Sequence, residues 1–353
     1  MNAHIDPHPA RAAASAPRPL RRHPFAMLLR REFWEHKGGF LWAPVVSGAI
    51  SLGLTAIFAV IALVAARRAA ADGGFEIDGV TVNGLDLNLL MRQMSAEDLR
   101  ELSAGLDVSL LMASSWPFIV MAFVVFFYCL GALYDDRKDR SVLFWKSMPV
   151  SDRDTVLSKV ASALLVAPVL ATAAALATML LFVLLLTALV AGHGGDAFQL
   201  LWAGGAPFKL ALYFVAAIPV YAVWALPTVG WLLLCSAWAR NKPFLWAVVV
   251  PVLLGVFVWW FNAMQLFGLE AAWFWENVVG RLLLGVVPAG WMATVDPDAL
   301  ASAARTDLQG LRGFWSLGML YSSFLSPKMW AGAAVGVAMI AGAVRLRRWR
   351  DEG

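Results

Sequence analysis

Long apolar runs alternate with short polar segments along most of this chain, and the alternation predicts its architecture. Six runs are long enough for membrane helices, since a bilayer core of about 30 Å needs roughly 20 helical residues. They lie at residues 40–66, 112–134, 160–190, 210–238, 244–262 and 329–344. The last run is short unless its helix begins before Pro327. The pattern predicts an all-α polytopic membrane protein with six transmembrane helices over residues 40–344.

The segment before the first run has an amphipathic pattern. Apolar Phe25, Leu28, Leu29 and Phe33 recur at helical spacing and alternate with charged positions. This predicts an interfacial elbow helix over residues 25–39. An ordinary charged flank of the first span is the alternative. The residues assigned to the elbow helix are Arg30, Arg31, Glu32, Trp34 and Glu35.

The two ends of the chain are polar. Residues 1–24 are rich in Ala, Pro and Arg without hydrophobic periodicity, which predicts a disordered cytoplasmic tail. Residues 345–353 form a short basic tail. No apolar run typical of a signal peptide precedes Phe40, so the first span is expected to act as its own insertion signal.

Two long segments between the spans predict small structures outside the membrane core. In the loop of residues 67–111, Asn83-Gly84 between alternating apolar residues predicts a hairpin. Ser95 and Asp98 then predict a capped helix, which makes this loop a small extracytoplasmic subdomain. In the loop of residues 263–328, the apolar run from Leu282 to Val295 is too short to cross and predicts a re-entrant hairpin. Two further hidden spans are the alternative there.

Composition and charge then place the chain in the membrane. It is 60% hydrophobic and 15% charged, whereas soluble domains are nearer half apolar and a quarter charged. The tails and the loops after spans two and four hold 19 of the 28 Lys and Arg residues and carry a net +9, against −5 for the other loops. Such sorting sets topology, so both termini are expected on the cytoplasmic side of the membrane. The net charge of +4 therefore does not indicate nucleic-acid binding.

Several kinds of chemistry are missing from the sequence. The six runs contain no Asp, Glu, Lys, Arg or His, which disfavours an ion-coupled carrier or an intramembrane enzyme. The chain has neither a Gly-x-x-x-x-Gly-Lys-Ser/Thr phosphate loop nor a His-Glu-x-x-His metal motif. We therefore expect no enzyme activity, no metal and no directly bound cofactor.

Two glycines in the last run have the spacing of close helix packing. Gly332 and Gly336 are four residues apart, and small residues at that interval let helix backbones approach each other. The spacing supports close packing without identifying the partner helix. Cys129 and Cys235 both lie within apolar runs and are expected to be packing residues.

The polar segment between the second and third runs is the main candidate for function. Eleven of the 26 residues from Tyr134 to Lys159 are charged, and charge sorting places this loop, residues 135–159, in the cytoplasm. Ser151 with Asp152 and Asp154 predicts a capped start of the third helix. Apolar and aromatic side chains amid charges suit a docking surface, although they could instead lie on the lipid interface. The candidate docking residues are Arg140, Val142, Leu143, Phe144, Trp145, Lys146, Met148, Pro149 and Ser151.

Three stretches also carry a resemblance to a known family. They are residues 31–40 (REFWEHKGGF), 134–151 (YDDRKDRSVLFWKSMPVS) and 345–350 (RLRRWR). Together with the hydropathy pattern from about Pro24 onward, they resemble bacterial ABC transporter permease subunits of the type-2 exporter class.

The resemblance implies two six-span subunits, a homo- or heterodimer, around a substrate path in a bacterial inner membrane. A separate cytoplasmic ATPase subunit would bind ATP and dock on a coupling helix, here residues 140–151. The resemblance also implies the elbow helix and the re-entrant segment near residues 282–295. The large first outer loop is less typical of that family.

Two functions of different classes follow. The first is a permease subunit of an ATP-driven exporter that is coupled to its ATPase through the loop between spans two and three. The alternative is a non-transporting membrane scaffold or sensor that binds a ligand or protein through its extracytoplasmic cap.

Overall fold

The structure is a computed structural model, and it describes residues 24–71, 75–77, 80–82, 94–139, 151–202, 205–265, 270–294 and 316–350. Within these residues the backbone is helical except for one short hairpin and the connecting turns. The predicted tail of residues 1–24 lies outside the described residues apart from Pro24. The last helix continues to Arg350 and so includes most of the predicted basic tail of residues 345–353.

Six described helices are long and apolar enough to cross a membrane, which confirms the predicted all-α multi-pass architecture. We number them spans 1 to 6 in chain order. The side of the bundle at which span 3 begins is called the Ser151 side, and the side at which span 6 begins is called the Lys328 side. The spans are Gly38–Arg68, Ala96–Lys138, Asp152–Gly192, Phe198–Trp224, Leu245–Ala263 and Pro327–Trp349.

The helices extend well beyond the apolar runs. Span 2 has 43 residues and is about 65 Å long at 1.5 Å per residue, about twice the apolar thickness of a bilayer. Its first turn is fixed by a capping box, in which Asp98 N donates to Ser95 Oγ at 3.2 Å and Ser95 N donates to Asp98 Oδ2 at 2.8 Å. The predicted capped helix therefore exists, and it is continuous with span 2.

The first long loop contains a short hairpin. Strands Phe75–Ile77 (β1) and Val80–Val82 (β2) pair antiparallel, with Ile77 opposite Val80. The predicted turn at Asn83-Gly84 lies outside the described residues.

The fourth predicted run, residues 210–238, divides into two helices. Span 4 ends at Trp224, and a shorter helix, Leu226–Trp238, follows after Ala225. Pro227 lies in the first turn of this shorter helix, where its missing N–H leaves a carbonyl of the preceding turn without a helical donor. We call this position the span 4 break.

The Leu226–Trp238 helix packs closely against span 6. A Cβ built on Gly336 would lie 2.5 Å from the backbone carbon of Leu226, and one built on Gly230 would lie 2.5 Å from Gly336 O. Backbone atoms cannot move aside as a flexible side chain can, so only glycine fits at either position. Gly332 lies on the same helix, where its Cβ would meet Arg281 Nη2 at 2.6 Å.

A helical hairpin precedes the last span. Residues 271–283 are helical, a series of turns follows, and Gly290–Thr294 form a 3-10 helix. We call residues 271–294 the 271–294 hairpin. The predicted re-entrant run, residues 282–295, therefore covers its turn and second arm but omits most of its first arm. The first arm contacts span 5, where a Cβ on Gly255 would lie 2.8 Å from the Trp275 ring.

Gly336→Ala is expected to destabilise the protein, because the added methyl group would overlap the Leu226 backbone. Overpacking of this kind costs about 1–3 kcal/mol. The matched control is Gly53→Ala in span 1, where a Cβ would meet nothing within 4 Å. Thermal unfolding in detergent should show a lower midpoint for Gly336→Ala alone. Equal midpoints for the two variants would contradict this packing.

Candidate functional site: a buried ion cluster

Most of the predicted docking residues lie outside the described residues. Ser151 is described, whereas Arg140, Val142, Leu143, Phe144, Trp145, Lys146, Met148 and Pro149 are not. The structure does describe both ends of this segment, Asp139 at the end of span 2 and Ser151 at the start of span 3. The candidate site consists of the ion pairs and hydrogen bonds that hold these two ends.

The start of span 3 is capped by Ser151. Asp154 N donates to Ser151 Oγ at 3.1 Å, and Ser151 Oγ donates to Asp154 Oδ2 at 2.8 Å. Asp152 and Asp154 lie in the first turn, where the helix dipole favours negative charge. The cap fixes the position at which the chain leaves the 140–150 segment and enters span 3.

Lys159 lies at the centre of a buried group of charges on the Ser151 side. Its Nζ is 3.1 Å from Glu32 Oε1 and 3.3 Å from Asp136 Oδ2. The side chains of Glu32 and Lys159 are 1% and 2% exposed, so this pair is almost fully removed from solvent. The contacts join the N-terminal helix Pro24–Glu35 to the end of span 2 and the start of span 3.

Arg347 adds the last span to this group. Its Nη1 lies 3.5 Å from Asp136 Oδ2, and its Nε donates to Asp152 Oδ1 at 3.2 Å. In the sequence, Asp136 precedes the 140–150 segment and Asp152 follows it. The guanidinium of Arg347 therefore binds the residues on both flanks of this segment. We call Glu32, Asp136, Asp152, Lys159 and Arg347 the ion cluster.

Aromatic residues close the cluster on the side of the N-terminal helix. Tyr128 OH donates to Glu32 Oε2 at 2.8 Å. The Tyr128 ring contacts the rings of His36 and Phe40, with centroid distances of 4.7 and 4.9 Å. Both Glu32 oxygens therefore have partners, which a buried carboxylate needs if its desolvation is to be offset.

Span 2 is also fastened to the end of the Leu226–Trp238 helix. The backbone N–H groups of Leu133 and Tyr134 donate to Ser236 Oγ at 3.0 and 2.9 Å. Arg137 donates to the carbonyl oxygens of Ser236 and, at 3.0 Å, Ala239. The residues just before the 140–150 segment are thus held by hydrogen bonds as well as by ion pairs.

The ion cluster has three carboxylates and two cations, so it carries one excess negative charge when all five groups are ionised. Its members come from four helices that are far apart in sequence. Removing one partner of a buried pair leaves an uncompensated charge and costs about 3–5 kcal/mol. The cluster is therefore able to hold these four helix ends in one arrangement.

The predicted elbow-helix residues divide between two environments. Arg30 and Trp34 are exposed, and Arg31 pairs with Glu35 at 3.3 Å in a solvent-accessible position. Glu32 was placed on the polar face, but it is buried on the same face as Leu28, four residues earlier. A carboxylate at a core position is stable here because Lys159, 127 residues away in the chain, lies beside it.

The cluster was missed because the apolar runs end before the helices do. The runs stop at residues 134, 160 and 344, whereas Asp136, Lys159 and Arg347 lie within the helices that extend past those limits. One signal was present in the sequence, namely that each of these charges is within one turn of an apolar run and so within reach of the bundle.

The described residues offer no metal site, since no group of three or more His, Cys, Asp or Glu side chains is arranged to hold an ion in them. Cys129 and Cys235 are free and buried. No family model, curated protein or solved structure matches this chain.

A double-mutant cycle at Glu32 and Lys159 tests the energetics of the cluster. Lys159→Met leaves two buried carboxylates short of a cation, and adding Glu32→Met removes one of them, so part of the lost stability should return. We expect a coupling energy above about 1 kcal/mol, measured by SDS unfolding in mixed micelles.

The control is the same cycle at Arg31 and Glu35, an ion pair at 3.3 Å that is exposed. Its coupling energy should be at most about 0.5 kcal/mol, because solvent screens such pairs. Equal coupling in the two cycles would show that the cluster is not a strong internal tie.

Proposed function

We propose that this chain is the transmembrane permease subunit of an ATP-driven exporter of the ABC type, coupled to a separate cytoplasmic ATPase through residues 140–151. One observation carries the proposal. Both flanks of the 140–150 segment bind Arg347 of span 6, through Asp136 and Asp152. A force applied to this segment therefore acts directly on spans 2, 3 and 6, and through Lys159 on the N-terminal helix.

The sequence also supports an ATPase partner, because the chain lacks an ATP site of its own and has a candidate docking loop. The chain has no phosphate loop for ATP, yet Phe144 and Trp145 lie among charges in a loop assigned to the cytoplasm by charge sorting. Buried aromatic anchors with a polar rim are typical of protein interfaces. An ATPase bound to these side chains would provide the energy of ATP hydrolysis, which this chain has no site to use. The resemblance to type-2 exporters indicates the same partner.

The distribution of burial supports a second permease subunit. In the most apolar stretch of each span, only 6% of the residues of span 1 and 17% of those of span 5 are buried, against 50% in span 2. These two spans leave wide apolar faces for lipid and for a second subunit, either another copy or a related chain. In the proposed assembly the substrate path lies between the two subunits.

An apolar cavity of about 480 Å³ provides a candidate part of that path. It lies between span 2, the start of span 5 and the turn of the 271–294 hairpin. Its walls are mostly aromatic and aliphatic, which suits a lipidic or amphipathic cargo. The main contributors are Phe123, Phe126, Phe127, Phe244, Val248 and Pro288.

The proposed coupling predicts a specific loss of assembly. Wild-type protein purified with a tag from its native membrane should carry an ATPase subunit and ATP hydrolysis. Trp145→Asp and Phe144→Asp should each lose both, because a carboxylate cannot be buried in an apolar pocket. Leu102→Asp, an exposed leucine on the Lys328 side, is the control and should retain the ATPase.

Two results would count against the proposal. If both loop variants still assemble with the ATPase, the docking assignment is wrong. If the wild-type protein binds its ligand or protein partner fully without any ATPase, the scaffold or sensor function is correct instead.

A further inference from the structure

Arg281 occupies an unusual position on the other side of the bundle. It lies on the first arm of the 271–294 hairpin, between the span 4 break and span 6. Its guanidinium stacks on Trp224, with Cζ 3.2 Å from the ring centroid, and its Nη1 donates to Trp224 O at 2.9 Å. Its Nη2 lies against Gly332, where an added Cβ would be 2.6 Å from it.

Part of this arrangement has a structural explanation. The hairpin is fastened to the span 4 break by Thr228, whose Oγ1 donates to Arg281 O at 2.8 Å and accepts from Gly285 N at 3.0 Å. Arg281 Nη1 adds one further bond to the break. These hydrogen bonds need only donor and acceptor groups, and an uncharged amide side chain could donate in place of Nη1. The hydrogen bonds therefore do not account for a positive charge at this position.

Within the described residues the charge of Arg281 has no counter-ion, and two donor groups have no hydrogen-bond partner. Among the described residues no carboxylate lies within ion-pair distance of Arg281, and its buried Nη2 has no hydrogen-bond partner there. Trp224 Nε1, on the same side, is also buried and unpartnered within the described chain. Both groups are donors. Such groups are costly in an apolar setting, and a charged residue at membrane depth usually marks a binding function.

An open cleft of about 880 Å³ lies beside these groups. Arg281 and Trp224 line it, together with the first arm of the hairpin and one face of span 6. At its rim Lys328 and Glu276 pair at 3.8 Å, with both side chains more than half exposed. The rim charges compensate each other, so the cleft as a whole carries the single positive charge of Arg281.

The depth of the cleft indicates what could occupy it. Gly332, beside Arg281, is four residues from Lys328, or about 6 Å along the helix, so the cation lies near the Lys328 end of span 6. From there the cleft continues along Val335 and Met339, which are apolar. A ligand that satisfies both parts has an anionic, acceptor-rich head and an apolar chain.

We propose that this cleft binds an acidic membrane phospholipid, with its phosphate at the guanidinium of Arg281 and an acyl chain along Val335 and Met339. The phosphate supplies the missing counter-ion and acceptors, and guanidinium binds phosphate well because of its several donors. The lipid would wedge between the 271–294 hairpin and span 6. This site is independent of the proposed ATPase coupling.

Native mass spectrometry of the detergent-purified protein tests the site with two added lipids of identical chains, phosphatidylglycerol and phosphatidylcholine. Wild type should retain one phosphatidylglycerol at concentrations at which phosphatidylcholine is lost. Arg281→Gln should weaken that retention at least about tenfold, because a charge-assisted contact is lost. Arg281→Lys, which keeps the charge, should retain most of it.

Two further variants separate binding from folding. Arg68→Gln, an exposed arginine at the end of span 1, should bind as wild type does. Ala331→Trp fills the cleft from an exposed position without altering Arg281, and it should lose the lipid while eluting from gel filtration as wild type does.

Three outcomes would overturn the proposal. They are equal retention of phosphatidylglycerol by wild type and by a folded Arg281→Gln or Ala331→Trp variant, equal retention of the two lipids by wild type, and displacement of the lipid by millimolar inorganic phosphate. The last would mark a site for a free anion.

Discussion

The arrangement of helices on the Ser151 side depends on the burial of Lys159 between Glu32 and Asp136, at 3.1 and 3.3 Å. A lysine side chain that is only 2% exposed needs carboxylates beside its ammonium group, and here they come from two other helices. Asp136 is in turn shared with Arg347, which also holds Asp152. The ion pairs therefore hold these helix ends in place relative to one another. The 140–150 segment joins two of them, the end of span 2 and the start of span 3.

The Lys328 side is organised by a different constraint, the break in the fourth apolar run. Pro227 and the glycine contacts of Gly230 and Gly336 bring the Leu226–Trp238 helix against span 6 without intervening side chains. The 271–294 hairpin then docks on the break through Thr228 and Arg281. Span 6 takes part in both sides, since Gly332 lies near one end of it, Gly336 near its middle and Arg347 near the other end. A displacement of Arg347 along the helix axis would thus reach the hairpin through a single rigid element.

The parts of this structure that follow local rules were visible in the sequence. Hydropathy predicted six spans, although its fourth run combined part of span 4 with the separate helix Leu226–Trp238. The Ser95 and Ser151 caps followed from their spacing to Asp98 and Asp154. The parts that depend on distant partners were not visible. The burial of Glu32 requires Lys159, and the span 4 break became evident only with the hairpin packed upon it. The apolar runs lack charged residues, but the helices do not, because they extend beyond the runs through polar residues.

In the proposed mechanism the ion cluster transmits movement of the 140–150 segment to the helix ends. This is tested by a distance measurement by electron paramagnetic resonance between spin labels at exposed positions 35 and 348, on the N-terminal helix and span 6, in a complex with the proposed ATPase subunit. ATP with vanadate should shift this distance in the wild-type background. The shift should disappear in Arg347→Gln while the ATPase remains bound. An equal shift in both backgrounds, or none in the wild-type background, would contradict the account.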